Sequence, residues 1–380
     1  MNADFTQTTH AKHWTFKNAE AIDELRRTTH EAAVVKLATA ASSSSKGGST
    51  SQEQWMAPPR EDIDMLFIDY QKRLQGICRK ENRADESRFT DRVLCTAQHY
   101  FKRFYLHVSP MEEDPKGIML AAIYLAGKVE EERIQIGDLV PKYWEKCDKD
   151  ALLALEQRLL ETLRFQLVVR SPFRCLTGLL QDLYGEISSS SSAAANEELN
   201  SLLRRASTRV AEALISDAPL LYAPQQVALA ALLSAAKEVD AAAETDGSSP
   251  KVGGVHLHGW IKRRFSQSPP QPQQHEALMA LLSEVERVSG TRADLTGKED
   301  SIRSTGKKLS RISQLLKRVE KANKEKRAQA ERERLKRSRD QETEAETAKL
   351  AAQVEEARAL AKQEMKDFEI RKRVKSEAPS

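Results

Sequence analysis

Cysteine is scarce in this chain. Its 380 residues hold four, Cys78, Cys95, Cys147 and Cys175. They lie far apart and never form a C-x-x-C pair, which speaks against a disulfide framework and against a zinc ribbon. Long apolar runs are also missing: the stretch Ile118 to Ala126 is wholly apolar but too short to cross a bilayer. The first residues are polar, without the apolar core of a signal peptide, so a reducing interior, cytoplasm or nucleus, is the expected setting. No glycine-rich phosphate loop occurs, and Gly253-Gly254 is an isolated turn signal. The histidines His10, His13, His30, His99, His107, His256, His258 and His275 fall mostly in polar or terminal segments. His256 and His258 come nearest to a metal pair, but no cysteine or acid sits at ligand spacing beside them. No catalytic constellation forms, and no cofactor or metal is expected.

Aromatic residues make up 6% of the chain and charged residues 31%, against 40% hydrophobic. That balance predicts a helical core with extended polar parts. The formal net charge of +4 is unevenly spread. From Thr291 onward 25 Lys and Arg face 17 Asp and Glu, a net of +8, which leaves the first 290 residues at −4. Any nucleic-acid affinity would therefore have to begin in the tail, at patches such as KRSR (336–339) and RKRVK (371–375), although mixed charge runs are ordinarily solvated helix.

The stretch KGIMLAAIYLAGKVEEE (116–132) organises the rest. Asp114-Pro115 is a helix-start signal, because aspartate caps free amides and proline is pre-shaped for the first turn. Small residues interleaved with large apolar ones predict a helix packed on all sides, ending abruptly in a charged surface. Before it, Asn18 can cap a helix to about Ala40, and ASSSSKGGSTSQ (41–52) reads as a flexible linker. Met65 to Cys78 has helical apolar spacing. Thr90 can cap a second helix through Val108, which Ser109-Pro110 stops. Ile134 to Val140 reads as a short piece closed by Pro141, and Lys149 to Leu163 as a leucine-faced helix. The pattern then restarts at Pro172, with a second alanine-rich helix, QQVALAALLSAAKEV, at the same third place, and ends near Gly290. The repeat is one of architecture. It divides the chain into an N-terminal helical arm and linker (1–55), a first box (56–170), a second box (171–290) and a charged, partly disordered helical tail (291–380). Leu309, Ile312, Leu316 and Val319, and again Leu350, Val354, Ala357, Ala361, Met365 and Phe368, lie at coiled-coil seam spacing. The polar stretch between them argues against a continuous coiled coil.

Tandem five-helix boxes whose buried third helix ends in Lys128-Val129-Glu130-Glu131 resemble the cyclins. KHWTF (12–16), YFKRFYL (100–106), LRF (163–165) with SPF (171–173), and LLYAPQQVAL (220–229) are similar to cyclin H, a transcription-type cyclin. The resemblance covers residues 12 to 290. It implies an all-α protein of two cyclin boxes, flanked by an N-terminal helix and a long charged helical tail. It also implies a non-enzymatic regulatory subunit that binds and activates a cyclin-dependent kinase. For cyclin H this is the CDK-activating kinase module of TFIIH, with a RING-type assembly factor as third subunit. That module acts in the nucleus on the RNA polymerase II C-terminal domain and on other cyclin-dependent kinases.

Carried over by position, the family's Lys–Glu pair falls on Lys128 and Glu156, which in cyclins reach backbone groups of the kinase beside its regulatory helix. Charge-assisted bonds of this kind are about twice as strong as neutral ones. Leu125, Val129, Leu160 and Leu167 match apolar positions that pack on that kinase helix. Trp14 and Phe16 match an arm that also touches the kinase. Each has an ordinary role too: Lys128 for the helix dipole, Glu156 on a solvated face, Leu160 in the core, Trp14 and Phe16 as a staple. The first-box helix reads DYQKRLQGICRK, without the substrate-docking patch of cell-cycle cyclins, and Lys102 stands where those have aspartate. The second box offers no evident counterpart of the Lys–Glu pair. Two other readings remain: a transcription cyclin of the C, K or T type with a different kinase, or a DNA-binding tandem cyclin fold like TFIIB. The latter family carries a zinc ribbon and basic boxes, both missing here.

Overall fold

The structure, a computed structural model, describes residues 5–44, 56–79, 89–143, 149–187, 193–240, 251–252, 255–265, 272–290 and 295–376. The serine-rich linker beyond residue 44, Cys147 and Gly253-Gly254 lie outside the described residues.

Helices form where caps and apolar spacing predict them. The arm comprises α1 (Thr9–Trp14) and α2 (Ala19–Ser44). The Thr8 hydroxyl accepts from Ala11 N, and the Asn18 side chain accepts from Ala21 N. The first box contains α3 (Arg60–Cys78), α4 (Asp91–Tyr105), α5 (Pro115–Val129), α6 (Ile136–Tyr143) and α7 (Lys149–Thr162). Pro141 does not close α6, which runs on to Tyr143. The second box contains α8 (Pro172–Ile187), α9 (Ala193–Ala213), the single turn α10 (Ala218–Leu221), α11 (Pro224–Asp240), α12 (Leu257–Phe265) and α13 (Pro272–Gly290). A two-residue antiparallel pair, β1 (Lys251–Val252) with β2 (Val255–His256), is the only strand structure among the described residues.

One buried helix is the centre of each box, α5 in the first and α11, the third long helix, in the second. Asp114 caps α5 through Lys116 N at 3.4 Å, with Pro115 as first residue. Side chains from Gly117 to Ile123 and from Leu125 to Gly127 are buried against α3, α4 and α7. Each large apolar side chain so buried contributes about 1.5–3 kcal/mol. In the same way α11 packs on α8, α9 and α13.

Helix α4 is buried from Val93 to Tyr105, its two cations included. Lys102 Nζ donates to the carbonyls of Ile215 (2.8 Å) and Ser216 (2.6 Å), in the turn between α9 and α10. Burial pulls its pKa down to about 7. The Arg103 guanidinium lies 5.0 Å from the centre of the Trp14 ring, and burial lowers it to about 9. The same turn receives Arg26, which donates to both Asp217 oxygens at 2.7 and 2.6 Å, and Leu220 O accepts from Phe16 N at 2.7 Å. One six-residue segment of the second box thus anchors the arm and the first box together.

The helix α14 (Glu299–Ser376) begins in the polar region predicted to be tail. Ile302, Thr305, Leu309, Ile312, Ser313 and Leu315 are buried, Gly306 faces Leu66 of α3, and the Ser313 hydroxyl donates to Glu112 O at 2.9 Å. The folded unit therefore extends to Leu316 and not merely to Gly290. The seam-spaced residues Leu309 and Ile312 contact the chain's own core. Lys317–Ser380 forms a separate unit, in which Leu335, Leu350, Val354, Leu360 and Met365 are exposed.

Candidate partner-docking site

The chain's turn out of α5 builds the site. Gly127 fits there closely: a Cβ would meet Ile134 Cδ1 at 2.5 Å and Cγ1 at 2.7 Å, so that side chain would have to shift. The three glutamates that read as a charged surface are largely committed to the fold. Glu130 Oε1 accepts from the Thr96 hydroxyl at 2.6 Å, and Glu132 Oε2 from the Thr90 hydroxyl at 2.7 Å and Thr90 N at 3.2 Å. Between them Glu131 turns the chain in the left-handed region, φ 59°. The end of α5 is thereby clamped to the start of α4, and the backbone that carries Lys128 is held from both sides.

Lys128 Nζ donates to both oxygens of Glu156 on α7, at 2.7 and 2.9 Å, and lies 4.3 Å from the Tyr124 ring centre. The Glu156 side chain is 7% exposed and that of Lys128 48%. Partial burial opposes the ammonium charge, but the bond to Glu156, its carboxylate charge and Tyr124 outweigh it and raise the Lys128 pKa. The pair brings a buried carboxylate and a half-exposed ammonium to one point on the surface. Such a pair can exchange part of its mutual bonding for backbone amides and carbonyls of another chain.

Of the apolar positions assigned to this site, Val129 is exposed, Leu160 and Leu167 are half-buried, and Leu125 is in the core. Leu167 O accepts from the Tyr100 hydroxyl at 2.7 Å, which fixes the segment after α7. Sequence reasoning missed three exposed apolar side chains on and after α7: Leu153, Val168 and above all Phe165, 68% exposed. Arg164 and Phe165 are consecutive left-handed residues, φ 52° and 57°. This costs on the order of 1 kcal/mol or more each and is kept only where the surroundings impose it. The available signal was an aromatic residue placed just beyond the last helical turn.

The arm residues Trp14 and Phe16 are engaged within the chain. Trp14 is buried, edge-on to His107 at 5.7 Å and against Arg103, and Phe16 packs on Ile22, Leu106 and Leu220. His10, which read as part of a polar terminus, is buried too. Its Nδ1 accepts from Arg170 N at 3.0 Å, and burial with the Arg103 and Arg170 charges lowers its pKa to about 3. His99 Nδ1 bonds Cys95 O at 2.8 Å, and burial holds it well below the usual range. Among the described residues no three His, Cys, Asp or Glu side chains converge to hold a metal.

Residues 82–168 match the family model of the cyclin N-terminal domain, and residues 171–290 that of the cyclin C-terminal domain. The chain is 32% identical over 238 residues to cyclin-H of Xenopus laevis, an alignment that covers 61% of this chain and 68% of that relative. It is also 32% identical to cyclin-H1-1 of Arabidopsis thaliana over 163 residues and to cyclin CCL1 of Saccharomyces cerevisiae over 177. These two alignments span 43% and 46% of this chain, and 46% and 41% of the respective relatives, so the chain matches less than half the length of either. Among solved structures, a chain of the CAK complex of Chaetomium thermophilum bound to ATP-γ-S is similar with a TM-score of 0.59. It is 20% identical, and the match covers 85% of this chain and 94% of that one. A chain of the yeast TFIIK (Kin28/Ccl1/Tfb3) complex is similar with a TM-score of 0.53 and 22% identity, covering 75% and 100%. Both likenesses concern the fold.

Proposed function

Since this chain belongs to the cyclin family, in its cyclin H branch, we propose that it is a regulatory subunit that binds and activates a cyclin-dependent kinase and has no catalytic activity of its own. The observation that carries this reading is the Lys128–Glu156 pair: a bidentate contact whose carboxylate is buried and whose ammonium is half-exposed, at the clamped end of α5. A kinase needs its regulatory helix held inward before its own Lys–Glu ion pair can form. A rigid surface that binds the backbone just ahead of that helix supplies the restraint. Val129, Leu160 and Leu167 would flank the helix in a helix-in-groove contact, joined by Phe165.

As a member of that branch the chain would act in the nucleus, in the CDK-activating kinase module of TFIIH, with a RING-type assembly factor and the TFIIH core as further partners. Its substrates there would be the RNA polymerase II C-terminal domain and other cyclin-dependent kinases. The likeness of the fold to chains of the CAK and TFIIK complexes supports that reading. The test is reconstitution: the full chain, inactive alone, is mixed with the isolated kinase subunit, and phosphate transfer to a C-terminal-domain peptide is followed. A large rise in rate on mixing supports the proposal, and an unchanged rate contradicts it. Mass spectrometry of the kinase that co-purifies separates this reading from another transcription cyclin.

A further inference from the structure

The second box carries its own copy of the pair. Lys128 lies thirteen residues after Pro115, the first residue of α5, and Lys237 lies thirteen after Pro224, the first residue of α11. Lys237 Nζ donates to Glu286 Oε2 at 2.8 Å, and Glu286 sits on α13, the last helix of its box, as Glu156 sits on α7. Periodicity gave no sign of this, because the partners are 49 residues apart in sequence. Beside the pair, α9, α11 and α13 enclose an open cleft of about 400 Å³.

The cleft's chemistry differs from that of the first box. Its floor includes Ala213, Ala230 and Ala231, all buried, so nothing beyond a Cβ rises into it from those positions. A backbone can approach such a floor closely, toward the short end of the 8–10 Å range of helix spacings. Its rim carries three carboxylates, Glu212, Glu238 and Glu286, and two cations, Arg209 and Lys237, with Arg205 beside Glu238 at 3.8 Å. Arg209 bridges Glu212 (2.9 Å) and Glu238. Glu286 is 38% exposed, far more open than Glu156. An exposed carboxylate at the edge of a small-residue floor complements the first turn of a helix, which has unbonded amide N–H groups and a positive end worth roughly half a charge.

We propose that this cleft is a second docking site, which receives the N-terminal turn of an apolar-faced helix from a protein subunit other than the kinase. Glu286 accepts amide N–H groups of the incoming turn, and Lys237 donates to a carbonyl just ahead of it. The proposal rests on assigning the kinase to Lys128–Glu156, which leaves the second-box copy to a different chain.

The test uses the full chain in its native complex, with the photocrosslinker p-benzoylphenylalanine at Ser234, a half-exposed residue of the cleft. The expected product links position 234 to the opening turn of a helix in a non-kinase subunit. The exchange Lys237→Glu with Glu286→Lys keeps an ion pair for the fold but reverses its polarity, and should reduce that product about tenfold or more while kinase recovery is unchanged. Ser234→Arg, which leaves the pair intact, should likewise release that subunit. A link to the kinase, a link to a second copy of this chain, no link, or a link that survives the exchange overturns the proposal. The parent reading fails separately, when exchange at Lys128 and Glu156 leaves kinase recovery unchanged.

Discussion

Glu156 is almost fully buried, yet its partner Lys128 is half-exposed, so the pair behaves as a covered carboxylate and not as a surface salt bridge. Exposed pairs contribute little, but stripping the partner from a buried charge is costly. Lys128→Met should therefore destabilise the chain by about 1–3 kcal/mol in urea unfolding. Lys128→Met with Glu156→Gln should recover most of that loss. Equal losses in the single and double variants would show that the carboxylate does not depend on Lys128.

Gly127 lies against Ile134, and an added methyl has no room. Gly127→Ala should cost about 1–3 kcal/mol by overpacking, and should loosen the turn that carries Lys128. Ile134→Ala in the same chain should relieve part of that cost. The check is a double-mutant cycle on the unfolding midpoint; strictly additive losses would place the strain elsewhere.

The buried histidines predict an acid-sensitive arm. An unfolded histidine takes up a proton near pH 6.5, whereas His10 resists protonation to about pH 3. The stabilisation it contributes is complete above pH 6.5 and is lost as pH falls toward 3, at roughly 1.4 kcal/mol per pH unit for such a group. His99, lowered in the same direction, adds to the trend. Melting temperature should thus fall more steeply between pH 6.5 and 5 for the native chain than for His10→Gln. Parallel curves would contradict the burial of His10.

The folded unit ends at Leu316. A chain stopped after Leu316 should keep the unfolding free energy of the full chain. One stopped after Lys298 gives up Ile302, Leu309, Ile312 and Leu315, whose burial contributes up to about 1.5–3 kcal/mol each. Equal denaturation midpoints for the two truncations would count against the packing of α14 on α3.

Much of the fold was legible because local signals agreed with the tertiary result. Thr90 and Asp114 cap where their side chains predict, and α5 and α11 read as buried because small and large apolar residues surround them completely. Lys128 and Glu156 were placed by the resemblance to cyclins, and their direct contact needed coordinates. Lys102 and Arg103 were opaque, since a Lys-Arg step in a helix reads as solvated face until carbonyls from another box and a tryptophan ring arrive to cover it. Leu309 and Ile312 carried a true periodicity whose partner was ambiguous: seam spacing looks alike whether the groove belongs to a second helix or to the chain's own core. The Lys237–Glu286 pair was hidden by sequence separation alone.

The most direct test of the account is activation of the purified kinase subunit by the full chain with Lys128→Glu and Glu156→Lys together. The exchange preserves an ion pair and should leave the melting temperature of the free chain nearly unchanged. Kinase affinity should nevertheless fall about tenfold or more, and activation with it. Wild-type affinity and activation by the exchanged chain would contradict the assignment of this pair as the kinase-docking site.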